Sequence, residues 1–203
     1  MIVRNILTCI FTFGWLSLLG QQFPSQMWHE GWLVTSDQDT ISGLIKYDMS
    51  SDIVQLKRDE VVKTCSSRKL LYFQLYDKTV EDYRHFYSLP FEVNFDYKVP
   101  IIFEVLYEGS LTLLVREQIV EETIPQSPYY TAGTYSSRRK LAFTYYFLSK
   151  EGSITQYNGK RNDLLAQMVK RSSDIKQYIK ENRLKTDRMR DLVRITAYYN
   201  SLI

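Results

Sequence analysis

Residues 101–116 read IIFEVLY, EGS, LTLLVR: two dense apolar runs joined by Glu108-Gly109-Ser110. Short apolar runs that flank a glycine turn form a β-hairpin, and the density of these two places them at the centre of a sheet. Phe103, Val105 and Leu113 are therefore expected in the core. The surrounding chain supplies neighbours of the same kind. Trp32–Thr35, the polar turn Ser36–Asp39 and Thr40–Tyr47 read as a first hairpin, and Ile53–Lys57 as a short third strand. Leu70–Tyr76 is a longer strand, and Tyr83–Leu89 follows, ended by Pro90. Phe91–Tyr97 then alternates, with Phe91, Val93, Phe95 and Tyr97 on one face. Leu141–Leu148 pairs through Ser149–Gly152 with Ile154–Tyr157. Sixteen Tyr, ten Phe and three Trp stand against eight Gly and five Pro, a bias that suits pleated, half-buried surfaces. With 44% hydrophobic and 24% charged residues the chain is a globular one, not a disordered one.

After Asn158-Gly159 the period becomes helical. Asn162 is the expected N-cap of a helix carrying Leu164, Leu165, Met168 and Val169. Ser172 or Ser173 caps a second, with Ile175, Tyr178 and Ile179 on one stripe. Thr186 caps a third, with Met189, Leu192, Val193 and Thr196. Each stripe is narrow and each opposite face charged, so the helices should lie on a surface. The fold class expected is α+β: a largely antiparallel curved sheet, sandwich or partial barrel, followed by three short C-terminal helices.

The first twenty residues read as a signal peptide. Arg4 gives a positive start, Ile6–Leu19 is almost unbroken apolar sequence, and Gly20-Gln21-Gln22 supplies a small residue and a polar break. Such a run matches a signal core and falls short of the roughly 20 residues of a spanning helix. Residues 21–203 then form a single domain, with a β-rich body over 21–158 and a helical segment over 159–203. Only Cys65 remains in it, so no internal disulfide forms, and the thiol is expected to be packed away. The charge is divided: residues 160–203 hold eleven Lys/Arg against five Asp/Glu, a balance of +6, and residues 21–159 carry −4.

Recognisable chemistry is sparse. There is no Walker loop, GxGxxG, GxSxG, CxxC or HExxH; after His29-Glu30, the position of a second histidine is Leu33. The two histidines, His29 and His85, lie far apart, and Asp37 and Asp39 fit a turn better than a calcium loop. No metal or cofactor is expected. Two patches stand out. Pro125–Lys140 reads as a long loop or hairpin arm, holding Tyr129, Tyr130 and Tyr135 and then Arg138, Arg139 and Lys140; tyrosines favour interfaces. The second patch is the outer helical surface, with Lys176, Lys180, Arg183, Lys185, Arg188 and Arg190. Nucleic acid fits poorly, for want of any recognition motif. An acidic protein surface or anionic lipid headgroups fit better.

The Gln-started end after the apolar segment, the hairpin GWLVTSDQDTISGLIKY, the central FEVLYEGSLTLLVRE and the terminal Tyr199-Asn200 resemble uncharacterised exported proteins of Bacteroidota. The resemblance covers most of the chain after residue 20 and rests on turn glycines and strand hydrophobics. It implies export and a β-rich body with a helical tail, and an association with outer-membrane machinery; no activity comes with it. Three functions are expected in order: a non-enzymatic binding or structural subunit of the periplasm or outer membrane, a carrier of a small lipid or glycan in the curved sheet, and a hydrolase with a fold-assembled site.

Overall fold

A computed structural model describes residues 22–94, 97–125 and 135–203, without the side chains of residues 125 and 135. It is an α+β structure built on one curved, unclosed antiparallel sheet of ten strands. These are β1 (His29–Thr35), β2 (Thr40–Asp48), β3 (Ile53–Arg58), β4 (Val61–Ser66), β5 (Leu70–Asp77), β6 (Asp82–Asn94), β7 (Tyr97–Tyr107), β8 (Leu111–Pro125), β9 (Tyr135–Ser149) and β10 (Ile154–Tyr157). The helices are α1 (Arg161–Gln167), α2 (Ser172–Glu181) and α3 (Met189–Ser201). The sheet order is β10-β9-β8-β7-β6-β5-β1-β2-β3-β4: a meander broken once, where β5 returns to pair with β1 instead of β4.

Two hydrophobic cores result. One lies in the curl of β1, β2, β3, β5 and β6, where Phe73 and Phe86 stack with ring centroids 4.4 Å apart and Leu33, Ile45, Tyr47 and Leu75 close round them. The other lies between the opposite half of the sheet and the helices: Leu111, Leu113 and Phe147 meet Ile175, Leu192 and Ile195. The sheet-centre hairpin behaves as expected at Phe103 and Leu113, both fully buried. Val105 does not. A register shift between Val105 and Tyr107 disturbs the β7–β8 ladder, and Val105 is half-buried, lining a cleft.

The strand at Tyr83 does not stop at Pro90. β6 runs on to Asn94, with Pro90 directly opposite Pro100 of β7. The N–H and C=O of Ile102 point towards β8, so the backbone nitrogen and C=O of Pro100, two residues away, face the same side. β8 pairs with β7 only from Glu104 to Tyr107, and β5 pairs with β6 only as far as Tyr87. Each proline thus lacks its N–H on a side where no ladder exists, and the strand continues. Phe91 to Asn94 therefore belongs to β6 while Tyr97 opens β7, and Phe95 lies outside the described residues. β4 was not anticipated: every residue in it except Cys65 is exposed, so it carries no alternation. Cys65 itself is half-buried on this edge strand, less protected than expected.

The helices follow the expected stripes but not the expected caps. The capping positions are Lys160, Arg171 and Arg188, none with a side-chain capping bond, and Asn162 and Ser172 fall inside the helices. Val169 sits in a short 3₁₀ turn and is exposed, because α1 ends at Gln167. What pins the helices is Asn200. Its amide accepts from the Leu111 N–H at 3.0 Å and donates to the Leu111 C=O at 2.9 Å, as a strand partner would. Gly109 is required beside it, since a Cβ there would lie 2.5 Å from the Asn200 Oδ1. The central hairpin and the terminal Tyr-Asn are thus in contact.

Phe103 packs edge-on against Phe91 and Tyr146, with centroids 5.8 and 5.1 Å away. Phe103→Ala should lower stability in urea unfolding by about 3–5 kcal/mol, and Val105→Ala by less than about half of that. Equal losses would mean that the β7 register is misassigned.

Candidate functional site

Where the two cores meet, the interior is polar. Arg84 stands opposite Leu75, on the buried face of β6. Its Nε and Nη2 hold the Glu104 carboxylate in a two-pronged grip at 2.8 and 2.7 Å. Nη1 donates to the Tyr47 hydroxyl at 2.7 Å and to Asp77 at 3.2 Å, and Nη2 donates to Glu117 at 3.0 Å. Those five bonds use every donor a guanidinium has. Tyr47 in turn donates to the other Glu117 oxygen at 2.7 Å, across 70 residues of sequence. The guanidinium carbon lies 5.1 Å from the centre of the Phe86 ring and 5.5 Å from that of Tyr47.

The charges respond to one another. Burial works against the Arg84 cation, but the hydrogen bonds and charge of Glu104, with Tyr47 and Glu117, hold its pKa above the ordinary arginine value. Burial pushes the Tyr47 phenol up, only partly offset by Arg84, and Glu117 pushes it further, so it stays protonated as a donor. Burial also pushes the Asp77 carboxyl up. The Thr79 hydroxyl and N–H, then Arg84, outweigh it and hold Asp77 below the usual carboxylate range.

A second arginine works next along β8. Where the β7–β8 ladder stops, Asp52 from the β2–β3 turn accepts the Ile102 N–H at 2.8 Å, and Arg116 donates to the Ile102 C=O at 2.6 Å. The two side chains pair at 2.8 Å, and Arg116 also reaches the Met49 C=O. Asp52 has a positive φ of 54°, a conformation that aspartate tolerates better than most residues. The turn is thereby wedged into the sheet, its side chains replacing the missing ladder partners. The Glu117 N–H meets the Met49 sulfur at 3.2 Å. Arg84 and Arg116 together hold the curled half of the sheet against β8.

The seam opens into a cleft of about 460 Å³. The buried Asp77, Arg84, Glu104 and Glu117 form its floor; Tyr83, Leu106, Leu141 and Phe143 are among its walls, and Met189 of α3 and Pro24 also line it. Among the described residues no group of histidine, cysteine and carboxylates is placed to hold a metal. His29 instead hydrogen-bonds the Pro24 carbonyl at 2.7 Å.

The residues singled out in the sequence lie elsewhere. Tyr129 and Tyr130 fall outside the described residues. Tyr135 opens β9, its backbone opposite Pro125. The described residues of the arm belong to the β8–β9 ladder, which stays in register from Leu111↔Ser149 to Pro125↔Tyr135, so β9 starts further into the arm than the sequence indicated. Two of its three cations are engaged across the ladder, Arg138 and Lys140 both on Glu122 at 3.1 and 2.6 Å. Arg139 points the other way, 5.8 Å from the centre of the Phe23 ring. Lys176, Lys180, Arg183, Lys185 and Arg188 are all exposed, as is Arg190. The seam residues carried one local signal: Glu104 interrupts the most apolar strand in the chain, and a carboxylate there needs a buried partner. Comparison with family models, with curated proteins and with solved structures finds no match, so the site is read from its own chemistry.

A carboxylate held below its unfolded pKa adds stability that is present above that pKa and lost as pH falls through the folded one. Asp77→Asn should thus be less stable than wild type by about 1–3 kcal/mol at pH 7. The gap should narrow as pH drops below about 4. Urea unfolding across that range measures it, and a gap independent of pH would contradict the role given to Asp77.

Proposed function

We propose that the protein is a non-enzymatic binding subunit of the cell envelope, exported to the periplasm or outer-membrane periphery, that engages an acidic protein partner through the outer face of its helices. The observation that carries this reading is the uncompensated charge of that face. Packing of Ile175, Ile179, Leu192 and Ile195 onto the sheet fixes which side of α2 and α3 looks outward. On that side Lys176 and Lys180 lie one helical turn apart, with Arg183 just past the end of α2 and Lys185, Arg188 and Arg190 beyond. None of the six forms an ion pair with a described residue. A cationic face on a body of opposite charge orients a molecule towards an anionic surface. The apolar N-terminal run and the resemblance to exported Bacteroidota proteins support the envelope as the place.

The carrier reading has less support. The inside of the curl is filled by Tyr47, Phe73, Leu75 and Phe86, all buried against one another. The carboxylates that a hydrolase would draw on are each tied to Arg84.

Affinity purification from the native envelope tests the proposal. Wild type should capture an acidic protein, with release at about 1 M salt, where the Debye length is about 3 Å. The triple variant Lys176→Glu, Lys180→Glu, Arg183→Glu should lose the capture with an unchanged melting temperature. Capture that ignores both salt and charge reversal would overturn the reading, and salt-sensitive binding to phosphatidylglycerol vesicles without a protein would move the partner to lipid.

A further inference from the structure

The cleft at the seam has the opposite character to the helical face. Three large apolar side chains converge on it and yet are well exposed: Val80 at 61%, Tyr83 at 58% and Phe143 at 40%. With Leu106 and Leu141 they give the hollow apolar walls, and its volume suits a bound side chain or small molecule. Exposed apolar groups gathered round one cavity mark a contact surface.

The floor says what the contact carries. All five Arg84 donors and the Tyr47 hydroxyl are already committed within the cluster, so none of them can donate to an occupant. Acceptors do remain. A carboxylate offers about four lone-pair sites, and among the described residues Glu104 and Glu117 each accept two side-chain bonds. Three carboxylates against one guanidinium leave an excess of negative charge, and Asp82 adds to it at the cleft mouth. Arg188 and Arg190 flank Met189 in sequence but do not line the cavity. An anionic occupant would meet repulsion at the floor, where the Arg84 and Tyr47 donors are already committed. A cationic, donor-rich tip on an apolar stem would meet acceptors below and hydrocarbon around its stem.

We infer that the cleft receives a lysine or arginine side chain from an apolar segment of the envelope partner. The inference rests on the binding-subunit reading and adds a second, basic contact to the acidic one that faces the helices. The molecule and its partner then match at both electrical ends.

Titration calorimetry with two model peptides tests it on the full exported chain. Acetyl-Leu-Arg-Leu-amide should bind saturably and about tenfold or more tighter than acetyl-Leu-Glu-Leu-amide. Phe143→Ser combined with Asp82→Asn, both exposed positions, should weaken the arginine peptide by about tenfold while leaving the melting temperature in place. Equal binding of the two peptides, or no effect of the double variant, would overturn the inference. Envelope capture separates this failure from failure of the wider reading. A partner retained equally by wild type and Phe143→Ser, with no peptide binding, removes the cleft and leaves the subunit. Peptide binding without any captured partner does the reverse.

Discussion

The structure turns on one guanidinium. Arg84 of β6 gives its five donors to β2, to the end of β5, to β7 and to β8, and so ties together elements from Tyr47 to Glu117. A buried cluster of this kind adds little net stability over an apolar replacement, yet losing one member is costly, because the rest are left charged and unpaired. Its physical effect is on geometry. An open sheet of ten strands can curl to many extents; here the curl stops where Tyr47 can reach Glu117 while both hold Arg84.

Around that point the sheet is assembled from side chains as much as from ladders. Asp52 and Arg116 take the place of missing backbone partners at Ile102, and Asn200 does the same at Leu111 on the other side of the central hairpin. Each substitution occurs where strand pairing ends, so that buried N–H and C=O groups stay satisfied. The wedge brings the β2–β3 turn onto β8, and the asparagine brings the helices onto the β7–β8 turn. The two cores, formed by distant parts of the chain, thereby meet at the same seam, and the cleft is the space left between them.

Much of this was legible in the sequence, and the exceptions have physical causes. The hairpins at residues 32–47 and 101–116, the helical stripes and the change near residue 158 follow from apolar periodicity, which burial enforces locally. Pro90 misled because a proline ends a strand only where its N–H is needed, and that depends on which neighbours are absent. β4 was silent because an exposed edge strand has no buried face to record. The helix starts were misplaced, at Asn162, Ser172 or Ser173 and Thr186, because the true caps Lys160, Arg171 and Arg188 make no side-chain bonds. The seam was the least legible part, since Tyr47, Asp77, Arg84, Glu104 and Glu117 are ordinary residues on five different strands and become a site only through the curl. Tyr129, Tyr130 and Tyr135 are conspicuous for the opposite reason: they crowd into one short stretch of sequence.

Native-state hydrogen exchange of Arg84→Met compared with wild type tests the claim that this guanidinium holds the curl to β8. The account predicts that amides of Tyr47, Met49 and Glu117 exchange about tenfold faster or more, while those of α2 and α3 over the other core change much less. Protection that is unchanged at Tyr47 and Glu117, or that falls equally in the helices, would contradict it.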